Sequence, residues 1–323
     1  MQYQTTIVSP ISVSGRGLHT GQQVTVTFEP APADFGVQFV RADLPGSPSV
    51  KAVPQNVFDT SRGTSIQDGH AQVHTIEHLM AALAGLGIDN VRVLTQGPET
   101  PILDGSSRVY VEMLREAGIK TLEKPRKFGT VKKEITFSIP EKEIQLTIRP
   151  ADHFKMTVNV DYGTKVLSEQ QAVLNNMEDF YPEVYNCRTF VFLDELQFLI
   201  QNNLVRGGDL DNAIVFVDKV PAKNVLKELS EFFHRKNIEV TPDHVLNNIT
   251  LRHANEPARH KLLDLLGDLY LLGIPLRAEI IANRPGHFAN TAFAREISKN
   301  ENFLVTFEGD VRKGRVILEI LFQ

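Results

Sequence analysis

The strongest constraint on the fold is a pattern that occurs twice along the chain. Residues 24–40 and 144–160 both alternate apolar and polar positions on either side of a turn-rich break, which is typical of two half-buried strands joined as a β-hairpin. Residues 78–88 and 264–274 then place apolar residues at helical spacing and end in Gly-Ile, which predicts two buried helices with a glycine after the last turn. The sequence therefore predicts an internal duplication, with a hairpin and a buried helix in each half.

The spacing within the two halves indicates an insertion in the second. Pro30 precedes His78 by 48 positions, whereas the corresponding Pro150 precedes Asp264 by 114, so the second half carries 66 additional residues. The charged, proline-containing stretch 123–134 is typical of a solvated linker. We therefore place the boundary between the halves within this stretch.

These patterns predict an α+β fold made of two similar domains. The first covers residues 1–126, and the second covers 127–317 and contains an inserted strand–helix–strand unit. Each is expected to be a small β-sheet layered with α-helices, and duplicated halves usually bury their common faces against each other, so the active site is expected between them. The segment LEILFQ at 318–323 resembles the recognition sequence of a viral protease used to remove tags, and it is left out of the fold prediction.

Composition and charge exclude several classes of protein. A formal net charge of −5 argues against a nucleic-acid partner, because such proteins usually show a basic face. No stretch approaches the roughly 18 apolar residues of a membrane span, and residues 1–25 do not resemble a secretion signal. Cys187 is the only cysteine, so it cannot form an intramolecular disulfide. We therefore expect a soluble protein of the reducing cytoplasm.

Three polar residues are expected to meet between the halves. If the two buried helices are equivalent, His78 and Asp264 occupy matching positions, and the pseudo-symmetry brings them together. His260 lies four residues before Asp264, so both side chains project from one face of the same helix. Two imidazoles and one carboxylate, with a fourth position left open, are the ligand set of a catalytic zinc site. Glu77, next to His78, is then the candidate general base for hydrolysis.

The same helices resemble a known family. TIEHLMAALAGLGIDN at 75–90 and RHKLLDLLGDLYLLG at 259–273 are very similar to the two metal motifs of the UDP-3-O-acyl-N-acetylglucosamine deacetylases, zinc enzymes that commit the pathway to lipid A in Gram-negative bacteria. The resemblance implies two domains of similar topology, and removal of the N-acetyl group of an acylated UDP-amino sugar with release of acetate. Further segments agree with this family: GRGLHTG at 15–21, PILDGSS at 101–107, CRTF at 187–190, GGDLDNAIV at 207–215 and PGH at 285–287.

Carried over motif by motif, the resemblance gives the three zinc ligands and Glu77 the same roles as above. It implies that His287 is the general acid that protonates the departing amine and that Asp268 orients it. An imidazolium paired with a carboxylate has a raised pKa, as this role requires. The other residues implied at the site are Thr189 for the oxyanion, Phe190 near the sugar, Lys261 for an anionic or polar substrate group, and His19 for substrate binding.

The inserted unit provides a hypothesis about the acyl chain. Residues 190–217 contain an amphipathic helix and then a strand, with more apolar residues than a surface appendage needs. In the family that the chain resembles, this unit houses the acyl chain, and we predict Leu196, Val205 and Leu210 as lining residues. Ordinary core packing explains each of them equally well. The resemblance also allows a native fusion to a hydroxyacyl dehydratase domain.

Two other functions are compatible with the sequence. His74 lies where many members of the family have a small residue, and it forms HTIEH with Glu77 and His78. HxxEH is the signature of inverzincin metallopeptidases, in which both histidines bind zinc, but a peptidase leaves the HKLLD and PGH motifs unexplained. Alternatively, the halves form a non-catalytic lipid-sugar binding module, in which a structural zinc site would need a fourth protein ligand.

Overall fold

The computed structural model describes residues 2–307 apart from positions 203 and 248, and for Lys223 the backbone alone. The LEILFQ segment and the end of the predicted second domain lie outside the described residues. Two halves with a corresponding order of elements follow each other along the chain.

The first half begins with an outer strand, continues through a central sheet and a buried helix, and ends with a strand that returns to the first. Its elements are β1 (Tyr3–Ile7), β2 (Ile11–Arg16), β3 (Gln23–Pro30), β4 (Val37–Arg41), β5 (Ser49–Lys51), β6 (Val57–Asp59), β7 (Ser65–Asp68), β8 (Ala71–Val73), α1 (Glu77–Leu86), β9 (Val91–Gln96), α2 (Arg108–Glu116) and β10 (Ile119–Pro125).

The second half repeats this plan with a larger unit before its buried helix. Its elements are β11 (Lys127–Val131), β12 (Ile135–Ile139), β13 (Ile144–Pro150), β14 (Lys155–Val160), β15 (Gln170–Leu174), α3 (Phe180–Glu183), β16 (Phe190–Phe192), α4 (Leu193–Gln201), β17 (Ile214–Phe216), α5 (Lys223–Phe232), α6 (Glu256–Leu269), β18 (Ala278–Asn283), α7 (His287–Lys299) and β19 (Phe303–Phe307).

The central sheets of the two halves have the same topology. The strand order is β2-β3-β9-β4-β5 in the first and β12-β13-β18-β14-β15 in the second. In each sheet one neighbouring pair is parallel, β4 with β9 and β14 with β18, and the other pairs are antiparallel. An outer antiparallel pair completes each half, β1 with β10 and β11 with β19. The predicted α+β fold with two similar halves is confirmed.

The predicted hairpins are wrong, although their strands lie where the alternation placed them. β3 and β4 do not pair with each other because β9 lies between them, and β18 lies in the same way between β13 and β14. Alternation shows which face of a strand is buried, but it does not identify the neighbouring strand. In each half the strand that fills the gap follows the buried helix, far from the predicted turn.

Both halves carry an extra unit before the buried helix, between β5 and α1 in the first half and between β15 and α6 in the second. The two halves therefore differ in the kind of unit as well as in its length. In the first half β6, β7 and β8 form a three-stranded sheet. In the second, the parallel strands β16 and β17 with α4 between them are the predicted strand–helix–strand unit. The stretch predicted as a solvated linker is largely built into β10 and β11, which pair with strands of different halves.

Helices α1 and α6 pack against each other and join the two halves. As predicted, each helical segment is followed by a glycine with a left-handed φ, 66° at Gly87 and 75° at Gly273. The helices approach closely at Gly267, where a Cβ atom would lie 2.1 Å from the carbonyl oxygen of Glu77. Buried residues from both sheets and both helices form one continuous core. The functional side chains of α1 and α6 are therefore held on a rigid support.

The Gly267→Ala change is expected to destabilise the protein even though alanine is the better helix former. On an exposed helix this change would be stabilising, by up to about 1 kcal/mol. Here the added methyl group meets backbone atoms of α1, and overpacking of this kind costs about 1–3 kcal/mol. Denaturant unfolding of the variant and the parent measures the difference in their free energies of unfolding. A variant more stable than the parent would contradict the close contact between the helices.

The inserted unit of the second half has its own small core. Leu193, Leu196, Leu210, Val215 and Val217 are buried there together with Leu229 of α5. Within the described residues, no helix has the length and apolar composition needed to cross a lipid bilayer.

Candidate metal centre and active site

The three predicted metal ligands meet where α1 and α6 pack together. Nε2 of His78, in the first turn of α1, lies 3.5 Å from Oδ1 of Asp264, and Nε2 of His260 lies 3.4 Å from the same oxygen. One donor atom from each residue lies within 4.8 Å of the other two, and all three side chains are buried. The structure therefore brings together the cluster that pseudo-symmetry and the four-residue spacing predicted.

The state of these side chains fits a metal ion. Oδ1 of Asp264 is buried and, within the described residues, has no hydrogen-bond partner, which is unfavourable unless a cation binds it. Oδ2 of Asp264 accepts a hydrogen bond from Nζ of Lys261 at 2.9 Å. Nδ1 of His260 lies 3.1 Å from the carbonyl oxygen of Cys187, so the N–H on Nδ1 donates to it and leaves the Nε2 lone pair directed at the cluster.

The protonation states of His260 and Asp264 also fit a metal site. Burial lowers the pKa of His260 to about 3, so its ring is neutral, as a metal ligand must be. Burial alone would raise the pKa of Asp264, but the neighbouring positive charges of His260, when protonated, and Lys261 outweigh it and hold that pKa well below the usual value. The cluster therefore offers the neutral imidazole of His260, the imidazole of His78 and the carboxylate of Asp264, a donor set suited to Zn²⁺.

The predicted base, Glu77, lies beside the cluster at the first position of α1. Its side chain is buried, and this burial raises the pKa of its carboxyl group, which makes the carboxylate a stronger proton acceptor. Oε2 accepts a hydrogen bond of 2.9 Å from the backbone N–H of Thr64. Oε1 lies 4.0 Å from Nε2 of His287, so the two groups proposed for proton transfer face each other.

The predicted acid, His287, forms the expected pair with Asp268. Nδ1 of His287, the first residue of α7, lies 3.0 Å from Oδ2 of Asp268, which also accepts a bond of 2.9 Å from Nδ2 of Asn290. Burial opposes the charged imidazolium, but the carboxylates of Asp268, Glu77 and Asp264 outweigh it and raise the pKa of His287 to about 9. The ring is therefore protonated at neutral pH and can act as a proton donor.

The other residues predicted at the site lie around this centre. Nζ of Lys261 lies 5.6 Å from the centre of the Phe190 ring, and that ring lies 6.4 Å from the His260 ring. The backbone N–H of Thr189 donates a hydrogen bond of 2.8 Å to the carbonyl oxygen of Gly105. The contribution of Thr189 to an oxyanion site stays a prediction.

His19 is placed by two contacts with the first half. Its backbone N–H donates to Oε1 of the buried Glu99 at 3.0 Å, and its ring Nε2 lies 3.0 Å from the carbonyl oxygen of Arg62. The same loop that contains Arg62 supplies Thr64 to the active site. The structure therefore links His19 to the loop over Glu77, and its predicted contact with substrate stays a prediction.

A buried ion pair that the sequence reasoning missed holds the segment next to the cluster. Glu256, in the first turn of α6, accepts from Nε of Arg188 at 2.9 Å and from the backbone N–H of Arg188 at 3.0 Å. Glu256 also accepts from the backbone N–H of Arg252, whose guanidinium binds Asp104 of the first half at 3.0 Å. The pair fixes the backbone beside Cys187, whose carbonyl orients His260. Loss of one partner of such a buried pair typically costs about 3–5 kcal/mol.

The arrangement around His74 does not support the inverzincin alternative. His74 precedes α1, and its Nδ1 lies 2.9 Å from Oγ of Ser65 while its ring packs against Phe58. It is not part of the metal-ligand group, which consists of His78, His260 and Asp264. The HTIEH segment is not helical at its first histidine, so the two histidines do not share a helix face as that signature requires.

The three predicted acyl-channel residues lie in or against the core of the inserted unit. Leu196 and Leu210 are buried in this core, and Val205 is partly buried against it. Their side chains take part in packing, and their contact with an acyl chain stays a prediction.

Comparison with known proteins adds an independent result. The family described as UDP-3-O-acyl N-acetylglycosamine deacetylase matches residues 4–241 and 234–299. The chain is 42% identical to the "Bifunctional enzyme LpxC/FabZ" of Chlorobaculum tepidum over 98% of this chain and 69% of the relative, and 43% identical to the enzyme of the same name from Porphyromonas gingivalis over 93% and 66%. It is 39% identical to the "UDP-3-O-acyl-N-acetylglucosamine deacetylase" of Alcanivorax borkumensis over 94% of this chain and 93% of the relative. The chain thus spans about two thirds of the bifunctional relatives it matches.

Proposed function

Because the chain belongs to the UDP-3-O-acyl N-acetylglycosamine deacetylase family, we propose that it is a zinc-dependent amide hydrolase whose metal is bound by His78, His260 and Asp264. Its substrate is UDP-3-O-acyl-N-acetylglucosamine, from which it removes the N-acetyl group and releases acetate in lipid A biosynthesis. The observation that carries the zinc proposal is the buried Oδ1 of Asp264, which has no hydrogen-bond partner in the described part of the chain and lies 3.5 Å and 3.4 Å from two imidazole nitrogens.

The proposed roles of the surrounding residues follow from their positions. When bound, a zinc ion polarises the amide carbonyl and lowers the pKa of a coordinated water to about 7. Glu77, buried beside the cluster, accepts the proton of the attacking water. His287, protonated through its pairing with Asp268, donates a proton to the departing amine. The two proton-transfer groups are 4.0 Å apart, so one substrate amide can be reached by both.

Substrate contacts are proposed for residues of both halves around the cluster. Lys261 carries its positive charge next to the Phe190 ring, where it suits an anionic or polar group of a nucleotide sugar. Thr189 suits the oxyanion, and His19 suits a contact from the first half. The acyl chain is assigned to the inserted unit around Leu196, Val205 and Leu210.

The two alternative functions, a metallopeptidase and a non-catalytic binding module, have less support than the deacetylase. The peptidase alternative is disfavoured by the position of His74, and the binding-module alternative by the family. Two relatives are named as bifunctional LpxC/FabZ enzymes. Their names agree with the expectation that fusion to a second enzyme domain occurs in this family. The expected cytoplasmic location stays a prediction from the single cysteine.

Metal removal tests the proposed function directly. Acetate release from UDP-3-O-acyl-N-acetylglucosamine is expected to fall by at least about a hundredfold after treatment with a zinc chelator, because a catalytic metal contributes several kcal/mol to the transition state. Stoichiometric Zn²⁺ is expected to restore it. The measurement is a time course of acetate, with a control in which the chelator is saturated with zinc beforehand.

Two outcomes would contradict the proposal. An unchanged rate after metal analysis has verified complete removal would reject zinc dependence. An untreated protein that binds the substrate and releases no acetate would reject the deacetylase and favour the binding module.

A further inference from the structure

The three-stranded sheet of β6, β7 and β8 places one buried threonine between the two halves. Thr64 precedes β7 and is completely buried. The loop before it packs tightly against the base, since a Cβ atom at Gly63 would lie 2.8 Å from Oε1 of Glu77. The carbonyl oxygen of Arg62 in the same loop is within 3.0 Å of the His19 ring nitrogen. The extra sheet of the first half therefore delivers a fixed loop to the active site.

Thr64 touches the proton-transfer groups of both halves. Its backbone N–H donates to Oε2 of Glu77 at 2.9 Å. Its hydroxyl donates to Oδ1 of Asp268, the carboxylate that pairs with His287. Thr64 is thus hydrogen-bonded to Glu77, the proposed base of the first half, and to Asp268, the partner of the proposed acid in the second half.

The hydrogen bonds of Asp268 show what the hydroxyl contributes. Oδ2 faces Nδ1 of His287 at 3.0 Å and Nδ2 of Asn290 at 2.9 Å, and Oδ1 receives the Thr64 hydroxyl. The Thr64 hydroxyl is also 3.3 Å from Nδ1 of His287, but the proton on that nitrogen is directed to Asp268, so the hydroxyl donates to the carboxylate. With donors on both oxygens, the carboxylate plane is fixed, and with it the direction of the His287 ring.

We propose that Thr64 is a positioning residue that holds the Glu77 carboxylate and the Asp268–His287 pair at a fixed separation for proton transfer. The proposal rests on the proposed deacetylase function. The proposal gives the sheet of β6, β7 and β8 a role in catalysis, because the loop between β6 and β7 contains Thr64 and its contacts with Glu77 and Asp268.

The Thr64→Val variant is the main test, because valine keeps the shape of threonine and lacks the hydroxyl. Loss of a hydrogen bond to a charged group is expected to lower kcat for acetate release by about ten- to a hundredfold. KM and zinc content are expected to stay unchanged, since Thr64 is not among the metal ligands. Thr64→Ser is expected to recover most of the rate, because serine restores the hydroxyl. Thr64→Ala supplies a second variant without the hydroxyl if valine prevents folding.

A matched control uses a buried threonine away from the site. Thr6 in β1 is also completely buried, and its hydroxyl oxygen accepts from the backbone N–H of Ala31 at 3.0 Å. Thr6→Val is expected to lose stability while its kcat stays at the wild-type value. The melting temperatures of all four variants separate an effect on folding from an effect on catalysis.

A second readout does not require turnover. The ring N–H proton of His287 that faces Asp268 can be followed by NMR in metal-free protein, and Thr64→Val is expected to shift or broaden its resonance while Thr6→Val leaves it in place. Wild-type kcat in Thr64→Val would overturn the inference, and so would loss of zinc or a failure of Thr64→Ser to recover the rate. If instead wild-type protein releases no acetate, the proposed function fails, and the NMR comparison alone still tests the positioning contact.

Discussion

Replacing Asp264 with alanine is expected to remove bound zinc and turnover together. Asp264 supplies the one carboxylate of the cluster, and its Oδ1 lies within 3.5 Å of both ligand imidazoles. Without it, only the two imidazole rings remain, and Lys261 loses the carboxylate that balances its charge. We expect metal binding to fail and turnover to fall by at least about a thousandfold, because a catalytic metal contributes several kcal/mol and each tenfold step corresponds to about 1.36 kcal/mol.

Metal content and acetate release should be measured on the same preparation of the Asp264→Ala variant. Thermal unfolding provides a third measurement, since a ligand that binds only the folded state stabilises it by about 2.7 kcal/mol when its free concentration is a hundredfold above Kd. Zinc is expected to stabilise the parent in this way and to have a much smaller effect on the variant. Asp211→Ala is a suitable control, because Asp211 is an exposed carboxylate of the inserted unit.

The His74→Gln variant distinguishes the deacetylase site from the HxxEH alternative. His74 contacts Ser65 and Phe58 outside the ligand group, so this variant is expected to keep its zinc and most of its activity. Retention of zinc by Asp264→Ala, or loss of zinc from His74→Gln, would each show that the metal is bound by a different set of residues.

The three residues of the candidate metal cluster could be predicted from the sequence because two local rules apply to them. Helical periodicity places His260 and Asp264 on one face of a single helix, and the repeated pattern relates Asp264 to His78 across the two halves. Both rules depend on residues close together in the chain or on an internal comparison. The structure places one possible ligand atom from each of these three residues within 4.8 Å of the other two.

The strand pairing could not be predicted in the same way. The alternation in residues 24–40 correctly identified β3 and β4, but their common neighbour β9 starts at Val91, after the buried helix. A parallel pair such as β4 with β9 requires a crossover connection, whereas the alternation on either side of a turn suggested the shorter antiparallel pairing. The local pattern contains no signal that separates these two arrangements.

Thr64 and Glu256 were missed because their roles depend on contacts with distant parts of the chain. Thr64 is separated from Asp268 by 204 positions, and Glu256 from Arg188 by 68. TSRGTS at 60–65 is typical of a polar surface loop, and a glutamate in the first turn of a helix is explained by the helix dipole alone. Both side chains are buried in the structure, and a buried polar group needs a hydrogen-bond partner. This burial cannot be read from the local sequence.

Replacing Glu77 with glutamine is expected to leave zinc bound while turnover collapses. Glutamine keeps the size of the side chain, and its carbonyl oxygen can still accept the hydrogen bond from the Thr64 N–H. It cannot take a proton from water, and removal of a general base typically costs about 10²- to 10⁴-fold in rate. The loss is expected in kcat, with little change in KM, because Glu77 acts on the reacting water.

The Glu77→Gln measurement needs a pH at which the acid is protonated in both proteins. The negative charge of Glu77 contributes to the raised His287 pKa of about 9, so its removal lowers the pH at which the imidazolium loses its proton. Assays well below pH 9 therefore compare the two proteins with the same acid in place. Zinc content should be measured in parallel, and Glu228→Gln on α5 is a control for a glutamate outside the cluster.

The two results of this experiment separate proton transfer from metal binding. Glu77 is adjacent to His78 in the chain, but its oxygens face Thr64 and His287, and it is not in the ligand group. If Glu77→Gln retained near-normal turnover, another group would have to accept the proton, and the buried carboxylate would have only a structural role. If the variant lost its zinc, Glu77 would be part of the metal site, and the separation between a binding cluster and a base would be wrong. A variant with full zinc and almost no turnover is the outcome that the positions of these side chains require.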